Sequence, residues 1–176
     1  MKNYKKNLEL LTKNHVYSKE MEHDACGVGL IASTEGKKSR AIVEYGIEAL
    51  KAVWHRGAVD ADGKTGDGAG IHVEIPKDFF IEKIQVTGHD YDNSEICVGM
   101  IFLPRNDYSA QESCKTIVES ELTKNNFSIY GWRQVPVNPK VLGEKAFQTM
   151  PEIIQVLFKS NDPNLLDKNL ERKIYE

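Results

Sequence analysis

The chain has 176 residues, of which 40% are hydrophobic and 28% charged, and its net charge at neutral pH is −3. This length suits one folded domain, and this composition excludes a disordered chain. The slightly negative charge predicts no basic face for binding nucleic acid. Apolar runs such as Ile96 to Leu103 are far shorter than the roughly 20 residues needed to cross a bilayer, so we expect no membrane-spanning segment.

Residues 1–25 form a candidate leader. Charged and polar residues interrupt every apolar stretch of this segment. A secretory signal requires an uninterrupted apolar centre, and a mitochondrial presequence is rich in arginine and poor in acidic residues. The leader is therefore predicted to be neither of these targeting signals.

The first half of the chain is predicted to hold two strands, a helix and a loop. The strands are Cys26 to Ser33, which is mostly apolar, and the alternating segment around Ile71, Val73 and Ile75. Residues 57–70 are rich in glycine and aspartate without an apolar period, which predicts a loop long enough to have a function. Ser39 is predicted to cap a helix with one apolar face, comprising Ile42, Gly46, Ala49, Leu50 and Val53.

The second half is predicted to hold three strands and two helices. The apolar run Ile96 to Leu103 is predicted as a central strand, and 127–137 and 152–158 as two further strands. A helix over 106–124 should turn Ile117, Val118 and Leu122 toward the core. Asp162 and Pro163 predict the start of a final helix with an apolar stripe at Leu166, Leu170 and Ile174. This mixture without strict alternation predicts an α+β or α/β fold.

The cysteine and histidine spacings predict no metal site. The three cysteines, Cys26, Cys97 and Cys114, show no C-x-x-C pattern, so neither a disulfide framework nor a zinc site is expected. The five histidines also lack ligand spacing. A reducing compartment is favoured, and we interpret Cys97 on a strand and Cys114 on a helix as packing residues.

Cys26 is the candidate nucleophile. It heads the apolar run Cys26-Gly27-Val28-Gly29-Leu30, where glycine leaves bare backbone beside the sulfur. A substrate carbonyl could approach such a thiol without obstruction by side chains. Taken alone, however, a cysteine leading an apolar strand is most often an inert buried side chain. The pattern permits nucleophilic chemistry without requiring it.

Several segments resemble, in their order and spacing, the start of the glutaminase domain of the glutamate synthase large subunit. They are HDACGVG from His23, HRGA from His55 and TGDGAGI from Thr65. The later segments GWRQVPV from Gly131 and VLG from Val141 look like the same family, so the resemblance reaches the last residue. That domain is a class II glutamine amidotransferase, a member of the N-terminal nucleophile hydrolases.

The resemblance implies a fold and a processing step. The fold would be α+β, a four-layer αββα sandwich of two antiparallel sheets between helix layers, incomplete here on its C-terminal side. Cleavage between Ala25 and Cys26 would make residues 1–25 a propeptide and residues 26–176 the N-terminal part of the amidotransferase domain. The freed α-amino group, with a pKa of about 7.7–8.0, would then activate the thiol. A flexible, solvated extension is the alternative for the leader.

Arg56 is the candidate for binding the glutamine α-carboxylate, because a guanidinium donates two parallel hydrogen bonds to a carboxylate. Without the resemblance, a surface ion pair at a helix end would be favoured. The family's arginine of this motif lies in the glutaminase pocket, and Gly27, Gly57 and Gly68 are expected to bring backbone close to that site. The glycines at 66, 68 and 70 lack the G-x-G-x-x-G pattern, so no nucleotide loop is predicted.

The resemblance also implies a longer parent enzyme. There, ammonia released from glutamine would pass to 2-oxoglutarate in a synthase barrel that uses FMN, an iron–sulfur cluster and either NAD(P)H or ferredoxin. None of these cofactors is expected in this chain. The implied partners are glutamine, the rest of the large subunit and a small reductase subunit, in the cytoplasm or, in a photosynthetic eukaryote, in a plastid.

One element of the family's chemistry is missing. The family's oxyanion hole comes from an Asn-Gly pair, and no such pair occurs between Cys26 and Glu176. We therefore expect the fragment alone to be a poor catalyst or none. Two other functions stay open: a regulatory or interaction domain of the same fold that keeps its leader, and a thiol redox sensor with a resolving cysteine near Cys26.

Overall fold

The computed structural model describes residues 27–54 and 57–176, together with Lys13. Contacts divide the chain into two units, Met1–Arg56 and Gly57–Glu176. Within 27–54 the first unit contains a helix, and the second unit contains a sheet with helices on both faces.

The first unit contains helix α1, Arg40–Ala52. The hydroxyl of Ser39 accepts a hydrogen bond from the backbone N–H of Ala41 at 3.2 Å, so the predicted N-cap is confirmed. The predicted apolar face is also confirmed over most of its length by its half-buried residues, which are Ile42, Gly46, Ala49 and Leu50. Val53, predicted on the same face, is exposed.

The strand predicted from Cys26 to Ser33 is wrong for its described residues, because 27–33 form no strand. Val28 and Leu30 are 94% and 89% exposed. An apolar sequence forms a strand only when a neighbouring strand pairs its backbone N–H and C=O groups, and no described strand pairs with this segment. The strand predicted around Ile71, Val73 and Ile75 is wrong for the same reason.

The second unit is built on a three-stranded antiparallel sheet. Its strands are β1, Cys97–Leu103; β2, Phe127–Gln134; and β3, Glu152–Ser160. The order is β1-β3-β2, and Leu157 at the centre of β3 is opposite Val98 on one side and Gly131 on the other. The predicted strand positions are confirmed.

The central strand is β3, whereas the sequence predicted the run Ile96 to Leu103 for that place. In β3, residues 154–158 are buried without interruption, as expected for a strand covered on both faces. In β1, at the edge, Met100 and Phe102 are 48% and 63% exposed. The uncharged run Ile96 to Leu103 correctly predicted a strand, but it did not predict which strands lie beside it.

Helices cover both faces of the sheet. Helix α2, Lys77–Val86, packs Phe80 and Ile84 against Leu157 on one face. Helix α3, Tyr108–Lys124, packs Val118 and Leu122 on the other face. The core on that second face contains Cys97, Phe127, Val156, Phe158 and Leu170. Ile117, predicted to face the core, is 62% exposed.

The final helix is shorter than predicted. After a 3₁₀ turn, Pro139–Val141, come helix α4, Glu144–Thr149, and helix α5, Asp167–Tyr175. The helix predicted to start at Asp162 starts later, because Asp162 forms an isolated turn: its carboxylate accepts from Asn164 N at 2.9 Å. Of the predicted stripe, Leu170 is buried, whereas Leu166 and Ile174 are 51% and 44% exposed.

The mixture of helices with a small antiparallel sheet agrees with the predicted α+β class. The described strands form one sheet, and the four-layer sandwich stays a prediction. Within 27–54 and 57–176, no helix has both the length and the apolar character that a membrane span requires.

Candidate functional site

The residues predicted to perform the chemistry lie outside the described residues. They are Cys26, Ala25 on the other side of the predicted cleavage point, and Arg56. Gly27, Gly57 and Gly68 are described, and all three are exposed. A Cβ added to Gly27 or Gly68 would meet no atom of the described residues within 4 Å. Their predicted roles near the site stay predictions.

The predicted loop after Arg56 contains a short hairpin between Ala58 and Asp67, which we call the 58–67 hairpin. Val59 and Gly66 form a single antiparallel bridge. The N–H of Asp60 donates to the carbonyl oxygen of Thr65 at 2.7 Å. Gly66 is required here, because a Cβ at this position would lie 2.9 Å from the carbonyl oxygen of Ala58.

Asp62 holds the tip of the hairpin. Its Oδ2 accepts from the Thr65 hydroxyl at 2.6 Å, and its Oδ1 accepts from the N–H groups of Lys64 and Thr65 at 2.9 and 2.7 Å. These donors stabilise the charged form, so the pKa of Asp62 lies well below its ordinary value, with the Thr65 hydroxyl as the largest cause. The Asp62 carboxylate thus accepts hydrogen bonds from backbone N–H groups that have no backbone carbonyl as a partner within the tight turn.

Asp67 holds the base of the hairpin. Its Oδ2 accepts a hydrogen bond from the N–H of Ala58 at 2.8 Å. This bond joins the last residue of the hairpin to the first, so it fixes the chain direction directly after Gly57. The sequence did not predict this role of Asp67 as an acceptor for a backbone N–H.

The hairpin lies against the start of helix α4. Gly143, the residue before α4, has no room for a side chain: a Cβ there would overlap the Thr65 hydroxyl and the Asp62 carboxylate and lie 2.5 Å from Thr65 N. Lys145 Nζ also bonds to Asp60 Oδ2 at 2.7 Å. Two segments of the family resemblance, TGDGAGI and VLG, are therefore in contact.

Sequence reasoning missed Asp62, Gly143 and Lys145. The run Asp62-Gly63-Lys64-Thr65 does carry a turn signal, since aspartate followed by glycine favours a side-chain-capped turn. Gly63 has a φ of +68°, which confirms that a tight turn occurs there. No sequence signal indicated that Gly143 would meet this turn.

The Gly131-Trp132-Arg133 segment is part of the sheet. The Trp132 indole donates to Glu119 Oε1 at 2.6 Å, and Arg133 donates to Gln155 Oε1 at 2.6 Å. Both contacts lie within the second unit, so the residues of this segment stabilise the sheet. It carries no candidate nucleophile or base.

Cys97 is a packing residue, as predicted. It is 95% buried, with 5% of its surface exposed, and burial raises the pKa of its thiol to about 12, with nearby Glu95 adding to the shift. Cys114 is half-buried on α3.

We expect Cys97 to resist alkylation in the folded protein, because reaction requires a thiolate and access to the sulfur. Native protein treated with iodoacetamide at pH 8 and then digested should show unmodified Cys97 by mass spectrometry. The same treatment in denaturant should label it fully. Labelling of Cys97 at equal rates in both conditions would contradict this prediction.

No group of three or more histidine, cysteine, aspartate or glutamate side chains is arranged to hold a metal ion within the part of the chain that the structure describes. His89 instead lies 3.2 Å from the Thr87 hydroxyl and edge-on to the Tyr130 ring. Its surroundings are those of a structural histidine.

Comparison with known proteins agrees with the sequence resemblance. The family model "Glutamine amidotransferases class-II" matches residues 26–176. The chain is 52% identical over 172 residues to the glutamate synthase (NADPH) large chain of Azospirillum brasilense, covering 98% of this chain and 11% of that protein. It is 40% identical over 167 residues to the ferredoxin-dependent glutamate synthase of Pyropia yezoensis, covering 94% and 10%.

A third relative is ferredoxin-dependent glutamate synthase 1, chloroplastic/mitochondrial, of Arabidopsis thaliana, which is 39% identical over 155 residues, covering 88% of this chain and 9% of that protein. The chain thus spans about a tenth of the length of the curated relatives it matches. These matches confirm the resemblance to glutamate synthases.

Proposed function

This chain belongs to the class-II glutamine amidotransferases, and we propose that it supplies the nucleophile that releases ammonia from glutamine in a glutamate synthase. The observation that carries the proposal is the family match over 26–176, whose first residue is the candidate nucleophile Cys26. The relatives named above are glutamate synthases, which supports the parent enzyme.

The proposed mechanism starts from a processed chain. Once the bond between Ala25 and Cys26 is cut, the α-amino group of Cys26 has a pKa of about 7.7–8.0 and can take the proton of its own thiol. The sulfur then attacks the side-chain amide carbon of glutamine, and the C–N bond breaks as the amine returns the proton to the departing ammonia. Water hydrolyses the resulting thioester to glutamate and restores the thiol.

Processing is essential to this mechanism. Before cleavage the nitrogen of Cys26 is part of an amide, whose lone pair is delocalised and cannot act as a base. We therefore propose that residues 1–25 are a propeptide. Arg56 is proposed to bind the glutamine α-carboxylate through its guanidinium, and Gly27, Gly57 and Gly68 to lie near the site as bare backbone.

We assign the remaining cofactors to other parts of the full-length protein. Iron–sulfur clusters are held by several cysteine thiolates, whereas two of the chain's three cysteines have other places, Cys26 as the proposed nucleophile and Cys97 in the core of the sheet. This donor set does not fit a cluster. FMN and the transfer of ammonia to 2-oxoglutarate are likewise proposed for the full-length enzyme, which would contain the rest of the large subunit and a small reductase subunit.

We also propose, on the basis of the family, the electron donor, the fold and the location. The proposed electron donor is NAD(P)H or ferredoxin, since relatives named for NADPH and for ferredoxin both match. The proposed fold is the four-layer sandwich. The proposed location is the cytoplasm, or a plastid in a photosynthetic eukaryote; the name of the Arabidopsis thaliana relative describes that protein as chloroplastic/mitochondrial.

Intact mass spectrometry of the purified full-length protein tests this function. The N-terminal residue is identified, and the mass is measured before and after incubation with a glutamine-analogue alkylating agent. We expect a chain that starts at Cys26 and gains one adduct there, because only a free N-terminal cysteine has the adjacent base. A chain that keeps residues 1–25 and refuses the label would contradict the proposal and favour the non-catalytic domain.

A further inference from the structure

We propose that the outer edge of β1 is the docking site for one further strand, a segment that follows Glu176 in the full-length protein and pairs antiparallel with Cys97–Leu103. The chain spans about a tenth of the length of its curated relatives, so a full-length protein of that size has the sequence to supply this strand. The proposal concerns the sheet of the second unit and does not depend on the chemistry proposed for Cys26.

Strand β1 has a neighbour on one side only among the described strands, because it pairs with β3 alone. In an antiparallel pair, alternate residues direct both their N–H and their C=O groups away from the neighbouring strand. Beside these outward groups of β1, Met100 and Phe102 are 48% and 63% exposed. Pairing with a further strand would satisfy the backbone groups and cover both side chains.

The two edges of the sheet differ in their protection against pairing. Natural edge strands avoid pairing through charged side chains and β-bulges. Strand β2 has both features, since Arg133 is charged and the pairing with β3 shifts between Ile129 and Gly131. Strand β1 has no charged residue and no proline, and its pairing with β3 is regular over all 7 residues. The edge on β1 is therefore the one suited to a further strand.

The connections between the strands indicate the same edge. Strands β1 and β2 are parallel, because both are antiparallel to β3, and helix α3 joins them. Helix α5 follows β3 and packs Leu170 on the same face of the sheet as Val118 and Leu122 of α3. Crossover connections between parallel strands are almost always right-handed. Because β3 runs opposite to β1, a right-handed crossover through α5 moves in the opposite direction, away from β2 and past β1.

A strand that follows α5 would then lie beside β1, parallel to β3 and antiparallel to β1. The sheet would have four strands in the split β-α-β arrangement, and β1 would have a neighbour on each side. A crossover in the other direction would be left-handed, and it would bring the strand to the protected edge on β2. Handedness and edge protection are separate observations, and both favour β1.

Photo-crosslinking of the full-length protein identifies what lies on this edge. A benzophenone amino acid replaces Phe102, and the protein is assembled from an equal mixture of isotope-labelled and unlabelled chains. After illumination and digestion, mass spectrometry should find the probe joined to a peptide that follows Glu176 in the same chain. A cross-link between labelled and unlabelled chains would indicate a second copy and overturn the proposal. A cross-link to a segment before Cys97, or no cross-link, would overturn it as well.

Hydrogen exchange measures the backbone pairing directly. Exchange of a paired amide requires local opening, so every amide within β1 should exchange at least about 100-fold more slowly in the full-length protein than in an unstructured peptide. An open edge would instead give alternating slow and fast amides along β1, because only alternate N–H groups bond to β3. That alternation would overturn the pairing whatever the cross-linking result.

A matched pair of variants tests the edge against an equally exposed position. Phe102 on β1 and Ile117 on α3 are 63% and 62% exposed. A charge beside a paired strand opposes the pairing, so Phe102→Glu in the full-length protein should speed exchange in β1 by about 10-fold or more. Ile117→Glu should change exchange in β1 by less than about twofold. Equal effects of the two variants would contradict the proposal, and the cross-linking result decides if Phe102→Glu does not fold.

Discussion

Cys26→Ala in the full-length protein is expected to lower glutamine hydrolysis by about 10⁴-fold or more. Removing the nucleophile of a covalent mechanism removes the intermediate itself, and losses of this size are typical when a catalytic nucleophile is replaced. The same change should abolish labelling by a glutamine-analogue electrophile, because the labelled atom is absent. Steady-state assay of released ammonia and intact mass after labelling measure the two effects independently.

The matched controls are the other two cysteines. Cys97 is buried in the core and Cys114 is half-buried on α3, so neither is a candidate for reaction with substrate. Cys97→Ala and Cys114→Ala should keep kcat, KM and the single adduct. Retained hydrolysis in Cys26→Ala, or loss of the adduct in either control, would mean that the nucleophile has been assigned to the wrong residue.

Those controls also bear on the redox-sensor alternative. A sensor based on Cys26 requires a resolving cysteine that can reach it and react as a thiolate. Burial raises the pKa of Cys97 to about 12, which opposes that role. A disulfide between Cys26 and Cys114 after mild oxidation would favour the sensor, and its absence would leave the amidotransferase as the stronger proposal.

The elements that sequence predicted well have local causes. Ser39, the predicted N-cap, caps α1 through its own side chain. Helix α3, predicted to start at Asn106, starts two residues later because Asp107 caps it by accepting from Ala110 N at 2.9 Å. Such signals act over a few residues, so they are legible in one sequence. Strands β2 and β3 were also predicted, because each combines apolar residues with clear turn residues at its ends.

The elements that sequence predicted poorly depend on partners distant in the chain. The runs at 27–33 and around Val73 are apolar enough for strands but have no paired strand among the described residues. Edge and central positions differ only in what lies beside them, so β1 was assigned to the centre of the sheet. Local apolar pattern cannot supply that information.

The site shows the same division. Sequence predicted that the loop after Arg56 is long enough to have a function, and it predicted Cys26 as the nucleophile from its neighbours and the family resemblance; both stay predictions. It could not show that Asp62 faces Gly143, because these residues are far apart in the chain and meet only in the fold. The contacts that hold the hairpin therefore required a structure.

Gly131→Ala is expected to cause the largest loss of stability among single glycine substitutions in the sheet. Gly131 lies at an irregularity in the pairing of β2 with β3 and has a φ of +142°, which is strained for a residue with a Cβ. A Cβ there would also lie 2.8 Å from Cγ2 of Thr87. Strain and crowding together should lower the free energy of unfolding by about 2–5 kcal/mol.

Thr87 cannot easily move away from the added methyl group. Its hydroxyl lies 2.7 Å from the carbonyl oxygens of both Ile84 and Tyr130, which ties the end of α2 to β2. The cost should therefore appear as lost stability and not as a simple side-chain rotation. Chemical denaturation of the purified protein, with and without Gly131→Ala, measures the difference.

Two further variants divide this cost into its causes. Thr87→Ser removes Cγ2 but keeps the hydroxyl and the Cβ, which would lie 2.9 Å from the added methyl group. The double variant Gly131→Ala with Thr87→Ser should therefore recover only the part of the crowding that Cγ2 causes and retain the rest together with the backbone strain. Gly46→Ala, inside α1 with no atom within 4 Å of the added Cβ, should be neutral or stabilising by up to about 1 kcal/mol. Equal stability of Gly131→Ala and Gly46→Ala would show that neither the positive φ nor the contact with Thr87 constrains the sheet, and the irregularity in β2 would then need another explanation.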